Sequence, residues 1–285
     1  MTKIKQSFFI LIVPLILIGA NIFFVGSFSL AKLLTKETGI ALIMLFRFLA
    51  GPIYLIPYSL IKRHPLKMRS WRLLSFRVFC GVSAMSCLFL AFKYGDIGKG
   101  TLIFELSIIW TVLIDAILFK KIPHKYSLAV IPIAFLGLVL ILNPTTFGTV
   151  SAGDGFALLG SLFNAGVYLS LKRLRDQYDT VTVVFWTYLI SSFVVMIPSV
   201  SHLRLLTDPS FKLLVLMSSV GFVGQLLMTL GFKFDSAGVS SLFMISIIPL
   251  TTLSGILFFN EIYTGITLLG MGLIFSALIV IAKYR

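Results

Sequence analysis

Arg47 lies inside an otherwise apolar stretch, GIALIMLFRFLAGP, that runs from Gly39 to Pro52. A guanidinium keeps its proton in a protein, so this charge cannot be hidden by neutralisation. On a helix rising about 1.5 Å per residue it sits about 12 Å beyond Gly39, and Glu105 sits about 8 Å beyond Gly100. A lone arginine at such a depth in lipid costs at least about 2.5–3.5 kcal/mol, so it must face an interior or water and meet an anion. Two arrangements satisfy that requirement. In one, Arg47 and Glu105 form a permanent bridge that holds two helices. In the other, which we adopt, Arg47 offers its fork of donors to a substrate carboxylate while Glu105 receives an ammonium or a coupling proton. Asp115, ten residues further along the same segment, is the reserve acid. Asn21, Asn164 and Gln225 can bond between helices or line a cavity. Tyr168, Trp186 and Tyr188 carry rings that can stack on a substrate. The candidate substrate-binding set is therefore Arg47, Glu105, Asn21, Asn164, Tyr168, Trp186 and Asp115. Arg77, about five residues inside the end of its own segment, is expected to snorkel toward water.

Other chemistry finds no footing. No phosphate-cradling glycine loop, nucleophile–base pair or metal-ligand spacing occurs, and His64, His124 and His202 fall in connecting stretches. Cys80 and Cys87, seven residues apart, have no ligand partners nearby in sequence and are expected to pack as small buried hydrophobes. The expectation is a protein that is not an enzyme and needs no cofactor or metal. Without an ATP-binding motif it is not a self-contained pump.

The segments that must position these residues belong in lipid. The chain is 58% hydrophobic and 12% charged, with a mean hydropathy of +1.05, whereas soluble domains are about a quarter charged. Apolar runs recur near 8–30, 39–61, 73–92, 100–119, 126–143, 153–171, 181–200, 211–232, 237–259 and 263–282. Each approaches the roughly 20 residues that a membrane-crossing helix needs, and none alternates as a barrel strand would. The first run is too long for a signal-peptide core and contains Asn21, so it is expected to be retained. The net charge of +14 is distributed unequally. With the N-terminus in the cytoplasm, sixteen Lys and Arg fall on the inner side, in clusters such as Lys62–Arg72, Lys120–Lys125 and Lys172–Arg175, against six on the outer side. That bias places both termini in the cytoplasm and assigns the basic clusters to orientation rather than to nucleic acid.

A repeat organises the spans. Shifted by 140 residues, Leu90–Ile122 lies without a gap on Leu230–Ile262, with Phe92/Phe232, Lys93/Lys233, Gly98/Gly238, Leu102/Leu242, Thr111/Thr251 and Phe119/Phe259 among the identities. The same offset sets Gly26 on Gly166 and Lys32 on Lys172. A unit of five spans is odd, so its second copy is inverted relative to the first. The expected fold is an all-α integral membrane protein of ten transmembrane helices, built as a 5+5 inverted-topology repeat from residues 1–148 and 149–285. Glycines at 265, 270 and 272 permit close helix contact, within a monomer or in a dimer.

Several stretches carry a family likeness. IGANIF (Ile18–Phe23), LFRFLAG (Leu45–Gly51), GDGFALLGSLFNAGVYLSLKRL (Gly153–Leu174), Pro249 and FNEI (Phe259–Ile262) resemble motifs of the drug/metabolite transporter superfamily, EamA-type. Ile109 and Lys121 stand where the repeat partners are Pro249 and Glu261, so the helix break and loop acid of that pattern are not expected in the first half. The resemblance implies a secondary transporter working by alternating access in a bacterial cytoplasmic membrane. Its partners would be the lipid bilayer, a small polar metabolite such as an amino acid or related zwitterion, and a coupling proton or exchanged solute. Uptake of a nucleotide-like or S-adenosylmethionine-like cofactor is the alternative within transport. A membrane structural or lipid-handling protein without solute flux is the alternative outside it.

Overall fold

A computed structural model of the chain describes residues 3–119, 151–205, 208–234 and 236–262, with short pieces between 132 and 140 and between 264 and 277. Most of the expected fifth span, 126–143, and half of the tenth, 263–282, lie outside the described residues. Those described form helices and no strand. They are α1 (Lys3–Leu34), α2 (Ile40–Lys62), α3 (Trp71–Tyr94), α4 (Ile97–Phe104), α5 (Ser107–Phe119), α6 (Ala152–Gln177), α7 (Thr180–Ser199), α8 (Asp208–Gly231), α9 (Ala237–Met244) and α10 (Ile247–Phe259). Seven segments are long and apolar enough to cross a membrane, with α4–α5 and α9–α10 each counted as one. The expected span at 153–171 forms α6 but is not among the seven. Its Ser161, Asn164, Tyr168 and Ser170 are buried, so this helix turns polar groups into the bundle and protein, rather than lipid, surrounds them.

The packing is pairwise exchangeable. α1 lies along α8 as α6 lies along α3, α4 packs on α10 as α9 packs on α5, and α2 crosses α7 at the centre. Exchanging each helix with the one five places on maps these contacts onto one another. Contacts at one end of the bundle fix the directions. There Lys99 near the start of α4 pairs with Asp154 near the start of α6 at 2.7 Å, and Ser199 at the end of α7 donates to the Ala41 carbonyl at the start of α2 at 2.8 Å. Exchanged helices α2 and α7 therefore run in opposite directions.

The break that was not expected in the first half is present. α4 gives way to α5 at Glu105–Leu106, and α9 gives way to α10 at Ile245–Ser246, 140 residues on. Pro249 cannot donate its backbone nitrogen to Ile245, which accounts for the second break. The first needs no proline. Leu106, Ile108 and Ile109 donate three residues back, to Ile103, Glu105 and Leu106, a tighter winding than the α-helix. Polar side chains from outside support both breaks. Asn164 donates to Ser107 Oγ at 3.0 Å, and Asn21 donates to the Met244 carbonyl at 3.0 Å and to Ser246 Oγ at 2.7 Å. Irregular backbone at membrane depth is tolerated where it is buried in protein or lines a cavity.

The candidate binding cavity

A cavity partly open to solvent lies where α1, α2, α3, α6, α7 and α8 meet the two breaks. Its wall is largely apolar, with Phe24, Phe28, Phe48, Phe104, Met85 and Met228. Its polar groups are Arg47, Arg77, Glu105, Asn164, Tyr168, Thr187, Tyr188, Ser191 and Gln225. This mixture suits a small solute, whose bulk meets the rings while a few fixed polar groups set its orientation.

Arg47 projects from α2 and is 1% exposed. Its Nη1 donates to Ser27 Oγ at 2.8 Å, and its guanidinium stands over the rings of Phe24 and Phe28 at 5.7 and 5.8 Å. Its Nη2 has no partner among the described residues. Glu105, supplied by the first break, accepts from Tyr168 Oη at 3.3 Å and from Ser107 Oγ at 3.4 Å. Tyr168 is fixed by stacking on Phe232 at 5.3 Å. Arg47 and Glu105 thus share the cavity without an ion pair between them. The permanent bridge is not formed.

The other candidates divide. Asn164 and Tyr168 line the cavity. Asn21 is fully buried at the second break and does not line it. Trp186 donates to the Leu66 carbonyl at 2.9 Å and packs edge-on against Trp71, away from the cavity. Asp115 is half-buried on α5, and it too is outside the lining.

The expectation for Arg77 is overturned. It does not snorkel, being 4% exposed and part of the cavity wall, where α3 is flanked by α6 and α7. Its Nε has no partner among the described residues. A signal for it existed. Of the 24 Lys and Arg residues, only Arg47 and Arg77 are absent from both tallies of loop charges. Thr187 and Ser191, four apart on α7, are not among the sequence candidates, although that spacing puts them on one helical face with Tyr188 between them in sequence. Their hydroxyls and that of Tyr188 are buried without partners among the described residues. Leaving such a group unbonded costs about 1–3 kcal/mol. With Nη2 of Arg47 and Nε of Arg77, five such groups border one cavity.

A largely apolar cavity with a few buried polar groups at the junction of exchangeable helix sets, with a broken helix in each, is the arrangement of a membrane transporter. The chain belongs to the EamA-like transporter family, whose model matches residues 11–143 and again 151–283. Among relatives, the pseudopaline exporter CntI of Pseudomonas aeruginosa is 24% identical over 269 residues, covering 91% of this chain and 93% of that protein. An uncharacterized transporter of Helicobacter pylori is 25% identical over 132 residues, covering 46% of this chain and 44% of its own length. One crystal structure shares the fold with a TM-score of 0.76 at 16% identity, over 96% of this chain and 99% of that one. The protein is therefore a multi-pass membrane transporter of a small molecule, and the family and its named relatives are transporters rather than enzymes.

Proposed function

We propose that this protein is a secondary transporter that moves a small polar metabolite carrying both a carboxylate and an ammonium, such as an amino acid or related zwitterion, across a bacterial cytoplasmic membrane. The observation that carries this reading is the shared cavity of Arg47 and Glu105. Each is buried in it, each keeps bonding capacity, and neither neutralises the other. The carboxylate of the cargo meets Arg47, and its ammonium, or a coupling proton, meets Glu105. Transport proceeds by alternating access, with two inverted five-helix units rocking about the cavity, ten spans in all and both termini in the cytoplasm. The likeness to a pseudopaline exporter supports outward movement as the direction to test first.

The test begins with untargeted metabolite profiling of cells with and without the protein, followed by flux of the labelled candidate into vesicles. Arg47→Gln and Glu105→Gln are each expected to fold and to lose at least about tenfold in flux, the scale of one charge-assisted hydrogen bond in a dry site. Normal flux in a well-folded Arg47→Gln protein would remove the site from the mechanism.

A further inference from the structure

Among the described residues the cavity lining holds two guanidiniums and one carboxyl group, and this imbalance bears on the cargo. Tyr188 lines the same cavity as Arg47 and Arg77. Glu105 has Tyr168 and Ser107 as its partners, and among the described residues no ion pair joins it to either arginine. Among the described residues, both guanidiniums keep a buried nitrogen without a partner, Nη2 of Arg47 and Nε of Arg77. A cargo with a single carboxylate would satisfy one of them and strand the other, and an unpaired buried charge is among the most destabilising features a protein can carry.

We propose that the cargo carries two acidic groups, one held at Arg47 and the other at Arg77, and that any ammonium it bears lies with Glu105 and Tyr168. A solute with two carboxylates and one ammonium brings one net negative charge, which balances the one net positive charge of the two arginines and the glutamate. Arginine suits the task because its planar fork pairs with both oxygens of a carboxylate. The unpartnered hydroxyls of Thr187, Tyr188 and Ser191 add neutral donors on the same wall. This inference rests on the transport reading of the cavity and narrows its substrate class.

The experiment uses the full chain in lipid nanodiscs with four probes, L-glutamate, glutarate, L-glutamine and putrescine, read as shifts in Tm and as binding by titration. Glutamate and glutamine have nearly the same shape and differ by one acid, so the pair isolates the second charge. Glutamate and glutarate are expected to raise Tm, glutamate binding at least about tenfold more tightly than glutamine, with putrescine inert. Arg77→Gln is expected to erase the preference for glutamate over glutamine and Arg77→Lys to keep part of it. In the ligand-free protein Arg77→Gln is expected to leave Tm unchanged or raise it, because it removes a charge that has no ion-pair partner, whereas a structural arginine would lower it. Equal binding of glutamate and glutamine, no shift from either two-acid probe, or a clear fall in ligand-free Tm on Arg77→Gln overturns the proposal. The vesicle flux of the preceding section separates the two readings. Flux that depends on Arg47 while the acid preference is missing leaves the transporter standing without a two-acid cargo, and absence of Arg47-dependent flux removes both.

Discussion

The junction between the halves can be tested through one ion pair. Lys32, near the end of α1, meets Glu261, just beyond α10, at 2.5 Å, with side chains only 11% and 6% exposed. Glu261 also accepts from the backbone nitrogens of Ile97 and Gly98 at the start of α4, at 2.8 and 3.4 Å. Lys32 reaches the Gly95 carbonyl at 3.4 Å and stands over the Phe259 ring at 5.0 Å. The clasp thus ties two elements of the first matched segment to the end of a helix of the second. Removing one partner of a buried pair costs about 3–5 kcal/mol, chiefly through the charge left behind. Glu261→Gln keeps an oxygen for Ile97 but leaves Lys32 with a carbonyl and a ring, so the low end, about 3 kcal/mol, is expected. Lys32→Met leaves Glu261 with two backbone donors at a helix N-terminus, which favour an anion by up to about 1 kcal/mol, and should cost less. The double variant strands no charge and should recover most of the loss, giving a coupling of about 1.5–3 kcal/mol, within the range for contacting residues. Equilibrium unfolding of the four proteins from mixed micelles supplies the cycle. A coupling below about 0.5 kcal/mol, as for an exposed pair, would refute the claim that this contact holds the halves together.

A Cβ at Gly221 would fall on Nη1 of Arg47 and on Ser27 Oγ, so Gly221→Ala must move the guanidinium. It is expected to cut flux severalfold, whereas Gly155→Ala, which meets nothing within 4 Å, should leave flux unchanged and gain up to about 1 kcal/mol of helix propensity; equal flux in the two would free Arg47 from this packing. Reporter fusions at Thr145 are expected to read the outer side and fusions at Met68 the cytoplasm, and the reverse pattern at either site would break the inverted arrangement.

Legibility of the fold came from the repeat and from length. A duplication conserves spacing, so the breaks after Phe104 and Met244 keep the 140-residue offset seen in the sequence, even though only the second has a proline to explain it. Apolar length picked out α6 with the other spans, at 153–171, although its Ser161, Asn164, Tyr168 and Ser170 turn into the bundle and make it less apolar than they are. In the site, Arg47 and Glu105 were conspicuous as charges in apolar text. Arg77 was hidden by ambiguity, since five residues from a span end a long side chain either snorkels or turns inward, and its neighbours α6 and α7 decide which. Thr187 and Ser191 resemble the many hydroxyls that bond their own helix, as Thr252 does to the Ile248 carbonyl at 2.9 Å; which of them lack such a partner is a matter of rotamer and packing. Trp186 and Tyr188 are two apart, about 200° around a helix. One must leave the cavity if the other enters it, and the sequence alone does not choose.

The two breaks share geometry and differ in chemistry, and this contrast fits carriage of an asymmetric solute. Rocking between two nearly equivalent states asks the halves for the same shape, which the exchangeable contacts and the matching breaks supply. Gripping a molecule with acids at one end and an ammonium at the other asks for unlike chemistry. At the first break the cavity meets Phe104 and the carboxyl of Glu105, and at the second it meets Met244 and Ile247. Asn21 attends to the polar needs of the second break from behind, at the Met244 carbonyl and Ser246, so that break presents an apolar face. The repeat position of Glu105 is Ile245, and the charge at this depth belongs to one half alone. A carboxyl at both breaks would oppose two arginines with two acids and leave no net charge to select a net-anionic cargo. On this reasoning Ile245→Glu would cancel the site's positive excess while leaving the fold's exchangeable contacts in place, and the single acid is what gives a symmetric carrier a direction along which to orient its load.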